Sequence, residues 1–143
     1  MEATVRWESG MLFRGTAGSG GAVTLDTRPD MGGTGQGPSP METLLLALAG
    51  CTGMDVVSIL AKMRAPLAGL EIRVSGDRAE EHPRVFTRIT LEYVFRGAGL
   101  APEQVGRAVQ LSQEKYCSVS AMLRQAADLT YTWRITPEAA AQS

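Results

Sequence analysis

The longest apolar stretch in the chain runs from Thr43 to Met54 and carries no charge over its 12 residues. Wound as a helix, it places apolar side chains on nearly every side, so we predict a central helix over 39–64 that is buried all round. The start carries the signals of a helix N-terminus, with Ser39 as the cap and Glu42 three residues later. The apolar stretch is too short to cross a bilayer, which takes about 20 residues.

Alternation of apolar and polar residues predicts strands on both sides of this helix. Three short strands fall within 1–28, and a glycine-rich loop leads into the helix. The part from 68 to 136 is predicted to hold two strands, two helices and a last strand, and 137–143 a frayed tail. The residues expected to face inward are Ile89, Leu91, Tyr93 and Phe95 in a strand, Val105, Ala108, Val109 and Ser112 in a helix, and Val119, Met122, Leu123 and Ala126 in the next helix.

Strands and helices that are segregated along the chain indicate an α+β fold with mostly antiparallel sheet. The length of 143 residues is typical of one domain, so we expect a single domain over 1–143. A helix that is apolar all round is hard to bury in so small a monomer. An obligate homodimer, with the central helices sandwiched between sheets, would bury it.

Composition narrows the function classes. The net charge is −1 and the basic residues are scattered, which gives no electrostatic footprint for nucleic acid. The N-terminal segment lacks the basic start and apolar stretch of a signal peptide, so we expect a cytoplasmic protein that does not bind membranes. One histidine, His82, and two distant cysteines are a poor ligand set for zinc, and we predict no metal site.

The candidate chemistry lies in the two cysteines, Cys51 and Cys117, which are 66 residues apart. Cys117 falls at the break before a predicted helix, where free N–H groups and the helix dipole favour a thiolate. Cys51 lies in the middle of the central helix, and Asp55, one turn on, would raise its pKa. Two interpretations of the pair therefore stay open. The cysteines are either two buried small hydrophobic residues or two thiols that react and then form a disulfide.

The segments GPSPMETLLLALAGC and EKYCSVSAML together resemble the OsmC/Ohr family, which comprises osmotically inducible protein C and organic hydroperoxide resistance protein. The segments SPME, DVVSIL and EKYCSV are most similar to the YhfA-like branch of the family. The resemblance implies an OsmC-like fold, an intertwined homodimer with two sites at the interface, and a cysteine-based peroxidase, an antioxidant enzyme, acting on organic hydroperoxides. By position it implies that Cys51 is the peroxidatic cysteine and Cys117 the resolving cysteine. It also implies an external dithiol reductant, such as a dihydrolipoyl group, and no bound cofactor.

In better-known family members, a glutamate ten residues before the first cysteine and an arginine from the N-terminal strands activate that cysteine. Here the position ten before Cys51 is Met41, and Glu42 lies nine before it, about 180° around the helix. Glu42 is therefore a candidate for activation or for the capping box alone. The candidate activating cations are Arg14, Arg28, Arg84 and Arg88.

Two further functions fit the same pattern. One is a non-catalytic protein whose apolar pocket binds a ligand, with the cysteines merely lining it. The other is a thiol redox sensor or carrier whose cysteine pair cycles without fast peroxide turnover. A cation beside Cys51 would favour the peroxidase, because it would stabilise the reactive thiolate.

Overall fold

The computed structural model describes residues 1–137. The chain forms two compact units, Met1–Leu44 and the residues from Leu45 onward. The observed order of three strands, helix, two strands, two helices and strand matches the predicted order. The predicted frayed tail lies outside the described residues, apart from Pro137.

The first unit is built on a three-stranded antiparallel sheet. Its strands are β1 (Ala3–Ser9), β2 (Leu12–Ala17) and β3 (Ala22–Leu25), paired in that order. Gly10 turns the chain between β1 and β2 with a φ of +52°, a conformation that costs glycine little. The sheet therefore forms from neighbouring segments, as local hairpins do.

A buried carboxylate orders the loop that follows β3. The Asp26 carboxylate accepts hydrogen bonds from the Thr34 hydroxyl at 2.6 Å, the Thr27 N–H at 2.7 Å and the Gln36 N–H at 3.1 Å. These bonds, that from the Thr34 hydroxyl first, lower the pKa of Asp26 to about 2. The loop is thereby tied to the end of the strand.

The central helix, α1 (Pro40–Lys62), packs through one stripe of side chains. Its buried residues recur every four positions, the spacing of one helix face, and are Leu48, Thr52, Val56 and Leu60. Other apolar side chains are exposed, with Leu46 at 58%, Met54 at 77% and Val57 at 46%. The expectation of burial all round is therefore wrong for the single chain, because one chain supplies packing partners for one face only.

Helix α1 is the one helix among residues 1–137 that is long and apolar enough to cross a membrane. Core helices of soluble proteins meet the same criteria of length and composition. The helix also carries charged residues, Glu42 in its first turn, Asp55 within it and Lys62 in its last turn. We therefore treat α1 as a helix of a small soluble domain.

The sheet of the second unit has the strand order β4 (Gly69–Arg78), β5 (Phe86–Arg96) and β6 (Asp128–Thr136). Strands β4 and β5 are antiparallel, whereas β5 and β6 are parallel, with Tyr93 opposite Trp133. The predicted mostly antiparallel pairing is therefore confirmed, and the pairing of β6 with β5 is the parallel exception. Helices connect β5 to β6, and such a crossover brings the chain back in the same direction.

Two helices form that crossover, α2 (Pro102–Leu111) and α3 (Ser118–Leu123), with a π-helical turn between them (Ser112–Tyr116). The predicted inner faces of β5 and α2 are fully buried, namely Ile89, Leu91, Tyr93, Phe95, Val105, Ala108, Val109 and Ser112. The predicted inner face of α3 is wrong for Met122, which is 65% exposed, and for Ala126, whereas Val119 and Leu123 are half-buried and Ser120 is buried. The π-helical turn and the break at Cys117 reset the helical phase, which a continuous 3.6-residue pattern does not anticipate.

Candidate functional site

The fold brings the two cysteines together. Cys51 is half-buried in the middle of α1, and Cys117 is 3% exposed at the N-terminal cap of α3. Both are free thiols, and they are near enough that Cys51 raises the pKa of the Cys117 thiol. Two residues that lie 66 positions apart in the sequence thus share one site in the second unit.

Burial dominates the electrostatics of Cys117. It raises the pKa of the Cys117 thiol, because a thiolate loses more hydration than a thiol does. The Ser120 hydroxyl and N–H oppose this, and the N–H lies 3.4 Å from the sulfur, while the neighbouring Cys51 adds to the increase. The expectation that the helix dipole favours a thiolate at Cys117 is therefore wrong. Helix α3 has only six residues, and its dipole does not offset the burial.

A π-helical turn sets the position of Cys117. The Cys117 N–H donates to the Ser112 carbonyl at 2.8 Å, across five residues instead of the usual four. Such turns insert one residue into a helix and often occur at functional sites. No sequence pattern indicates this turn, apart from the need to end α2 before Cys117.

Sequence reasoning missed a buried cluster of polar side chains beside the cysteines. The Thr52 hydroxyl lies 2.7 Å from the Ser112 hydroxyl and 2.7 Å from the Tyr93 hydroxyl, and all three residues are fully buried. The Gln113 side chain, 3% exposed, donates to the Tyr93 hydroxyl at 2.7 Å. The available signals were a threonine within an apolar helix and a serine on the inner stripe of α2.

An open groove of about 510 Å³ runs along the C-terminal half of α1. It has both apolar and charged walls, and its lining residues are Met54, Asp55, Ser58, Ile59, Lys62, Met63, Leu111 and Tyr116. Asp55 lies four residues after Cys51 and therefore on the same helix face. The groove thus begins about one helical turn from the Cys51 side chain.

The Glu42 side chain takes part in the capping box of α1. Its carboxylate accepts the Ser39 N–H at 2.9 Å, and the Ser39 hydroxyl accepts the Glu42 N–H at 3.2 Å. The bond from the Ser39 N–H lowers the pKa of Glu42. The sequence pattern for the cap is therefore confirmed, and an activating role for Glu42 stays a prediction.

The candidate arginines have varied surroundings. Arg14 forms an ion pair with Glu8 at 2.9 Å in the first unit, and Arg28 pairs with Asp30 at 3.1 Å in the same unit. Arg88, like Arg84 just before it, is exposed in the second unit. Each arginine stays a candidate for activating the peroxidatic thiol.

Comparison with known proteins identifies relatives over nearly the whole chain. The profile of the OsmC-like protein family matches residues 33–132. The chain is 42% identical over 136 residues to Protein YhfA of Escherichia coli strain K12, covering 94% of this chain and 98% of that protein.

Solved structures share the architecture. A hypothetical protein from Aquifex aeolicus VF5 superposes with a TM-score of 0.84 at 32% identity, over 96% of each chain. The organic hydroperoxide resistance protein OhrB of Bacillus subtilis has the same fold, with a TM-score of 0.61 at 19% identity over 93% of this chain and 96% of that one. On the family match, the identity to Protein YhfA and the α+β architecture, the chain belongs to the OsmC-like family.

Proposed function

We propose that this protein is a thiol-dependent peroxidase that reduces organic hydroperoxides through Cys51 and Cys117. Membership of the OsmC-like family points to redox or peroxide-related chemistry. The single observation that carries the finer proposal is that two free thiols from distant parts of the chain are neighbours in the folded protein. Two neighbouring thiols can give up two electrons and two protons to a peroxide by forming a disulfide.

The proposed reaction has three steps. The Cys51 thiolate attacks the distal oxygen of the hydroperoxide, so that an S–O bond forms, the O–O bond breaks and the alkoxide leaves as an alcohol after taking a proton. The Cys117 sulfur then attacks the sulfenic acid at Cys51, an S–S bond forms and water leaves. An external dithiol, such as a dihydrolipoyl group, reduces the disulfide by two thiol–disulfide exchanges.

The groove along α1 supports an organic rather than an inorganic peroxide. Its walls include Met54, Ile59, Met63 and Leu111, which offer apolar surface to an alkyl or aryl group. Hydrogen peroxide has no such group and gains nothing from this surface. We therefore propose bulky alkyl hydroperoxides as the preferred substrates.

The proposal is tested by following cumene hydroperoxide consumption in the presence of dithiothreitol. We expect steady turnover by the wild type and complete loss in Cys51→Ser. In Cys117→Ser a sulfenic acid should form at Cys51 and be trapped by dimedone. Ser118→Ala, which changes an exposed residue next to Cys117, serves as the matched control and should keep the wild-type rate. No turnover by the wild type, or unchanged turnover by Cys51→Ser, would contradict the proposal.

A second candidate is a thiol redox sensor or carrier on the same site. The observation in its favour is the raised pKa of the Cys117 thiol, since a protonated thiol attacks slowly. Such a protein would be oxidised once by cumene hydroperoxide, with one disulfide per chain, and would then turn over slowly with dithiothreitol. Stoichiometric oxidation without multiple turnover distinguishes this candidate from the peroxidase.

We also propose that the protein is a cytoplasmic homodimer. The exposed apolar side chains of α1, Leu46, Met54 and Val57, need a covering surface, and a second copy of the chain would supply one. The cytoplasm keeps thiols reduced, as a dithiol-driven cycle requires.

A further inference from the structure

A chain of hydrogen bonds links the helical turn that carries Cys51 to the π-helical turn that carries Cys117. Thr52, the neighbour of Cys51 in sequence, lies 2.7 Å from the hydroxyl of Ser112. The Ser112 carbonyl in turn accepts the Cys117 N–H at 2.8 Å. The hydrogen bond between these two buried hydroxyls is therefore one of the links between the backbone segments that carry the two sulfurs.

The direction of these bonds follows from the number of protons each hydroxyl owns. Ser112 donates its hydroxyl proton to the Asp55 carboxylate at 2.9 Å, so Thr52 must donate to Ser112. Having used its own proton, Thr52 must accept the proton of the Tyr93 hydroxyl.

The same direction continues on the other side of Tyr93. The Gln113 amide donates to the Tyr93 hydroxyl at 2.7 Å, and the Arg124 guanidinium donates to the Gln113 side-chain oxygen at 2.9 Å. Arg124 also donates to the Gln113 carbonyl at 3.2 Å. Every donor thus points from a guanidinium towards a carboxylate, an arrangement in which successive hydrogen bonds strengthen one another.

We propose that Thr52 and Ser112 are positioning residues that hold Cys117 against Cys51 for disulfide formation. This inference rests on the disulfide step of the proposed function. Neither hydroxyl needs to touch the peroxide. Their contact fixes the π-helical turn to α1, so that the two sulfurs meet in the right geometry without a search through other conformations.

The test measures the equilibrium between the protein dithiol and oxidised dithiothreitol, without any peroxide. In this exchange the two protein thiols give two electrons and two protons to the cyclic disulfide of the reagent, and a protein disulfide forms. The remaining free thiols are alkylated with a maleimide of high molecular mass. Oxidised protein is not labelled, so its fraction is measured from the difference in migration on a gel. Each variant is titrated against the ratio of oxidised to reduced dithiothreitol.

We expect Thr52→Val and Ser112→Ala to lower the equilibrium constant for disulfide formation about tenfold, because each breaks the hydrogen bond between Thr52 and Ser112. Thr52→Ser keeps the hydroxyl and should stay close to wild type. Ser118→Ala removes an exposed hydroxyl beside Cys117 and is the matched control. If Thr52→Val does not fold, Tyr93→Phe removes the donor to Thr52 instead and should lower the constant as well.

Any one of three results would overturn the inference. The equilibrium constant for disulfide formation could be unchanged in Thr52→Val or Ser112→Ala, or it could fall as far in Thr52→Ser as in Thr52→Val. The third is a wild type that forms no disulfide. Failure of the proposed function is read separately. A wild type that forms the disulfide but does not consume cumene hydroperoxide would refute the peroxidase and leave the positioning role intact.

Discussion

Burial sets the reactivity of Cys117. The side chain is 3% exposed, and its surroundings favour the neutral thiol. Among the described residues, Cys51 in α1 is the titratable group that acts on the pKa of Cys117, and Cys117 in turn raises the pKa of Tyr93 in β5. Since neither is a cation, neither offsets the cost of placing a thiolate there.

The burial of Cys117 predicts how the rate of its alkylation depends on pH. In Cys51→Ser, the rate of Cys117 alkylation by iodoacetamide should rise with a midpoint above pH 9.0, the ordinary pKa for this group. A raised pKa leaves less thiolate at any pH below the midpoint, so alkylation at neutral pH should be slow. The same protein unfolded in urea is the control and should titrate near the ordinary value. A midpoint below 9.0 in the folded protein would contradict the burial argument.

At the scale of elements, the N-terminus of α1 is fixed by two reciprocal hydrogen bonds between Ser39 and Glu42. Ser39→Ala should lower the free energy of unfolding by about 1 kcal/mol, because it leaves one N–H of the first turn unpaired. Urea denaturation of both proteins measures the difference. Wild-type stability in the variant would show that water replaces the cap without cost.

A substitution can also distinguish the two candidate roles of Glu42, which are helix capping and activation of Cys51. Glutamine keeps the capping geometry but has no charge, so Glu42→Gln should stay folded. If Glu42 serves only the cap, the variant turns over cumene hydroperoxide at the wild-type rate. A large loss of rate with retained stability would instead assign it to activation of Cys51.

The connection between α2 and α3 shows what a helical pattern omits. Val105, Ala108, Val109 and Ser112 follow one stripe and are all buried as predicted. After Ser112 the chain makes a π-helical turn, and the next helix presents Ser120 inward and Met122 outward. The additional residue changes the phase by about 100°, so the stripe cannot be extended across it.

At the scale of the whole molecule, the apolar surface of α1 predicts a dimer. Light scattering should give twice the 15.2 kDa of one chain. Leu46→Glu should shift the mass towards that of the monomer, because it places a charge on a surface that dimerisation would bury. Gln125→Glu, which adds the same charge at an exposed polar position, is the control. A monomer mass for the wild type would contradict the dimer.

Hydrophobic periodicity and helix caps act within a few residues, so the elements and their order could be predicted from the amino-acid pattern alone. That pattern also predicted the inner faces of β5 and α2 and singled out Cys51 and Cys117 as the candidate chemistry. The meeting of the two thiols followed from the family resemblance rather than from any local pattern, since 66 residues separate them.

The environment of those thiols could be read only from the folded chain. The raised pKa of Cys117, the parallel pairing of β6 and the buried contact between Thr52 and Ser112 all depend on groups that are distant in sequence. Desolvation and hydrogen bonds act through space over a few ångströms. They become determined only when the chain has folded and its surfaces have met.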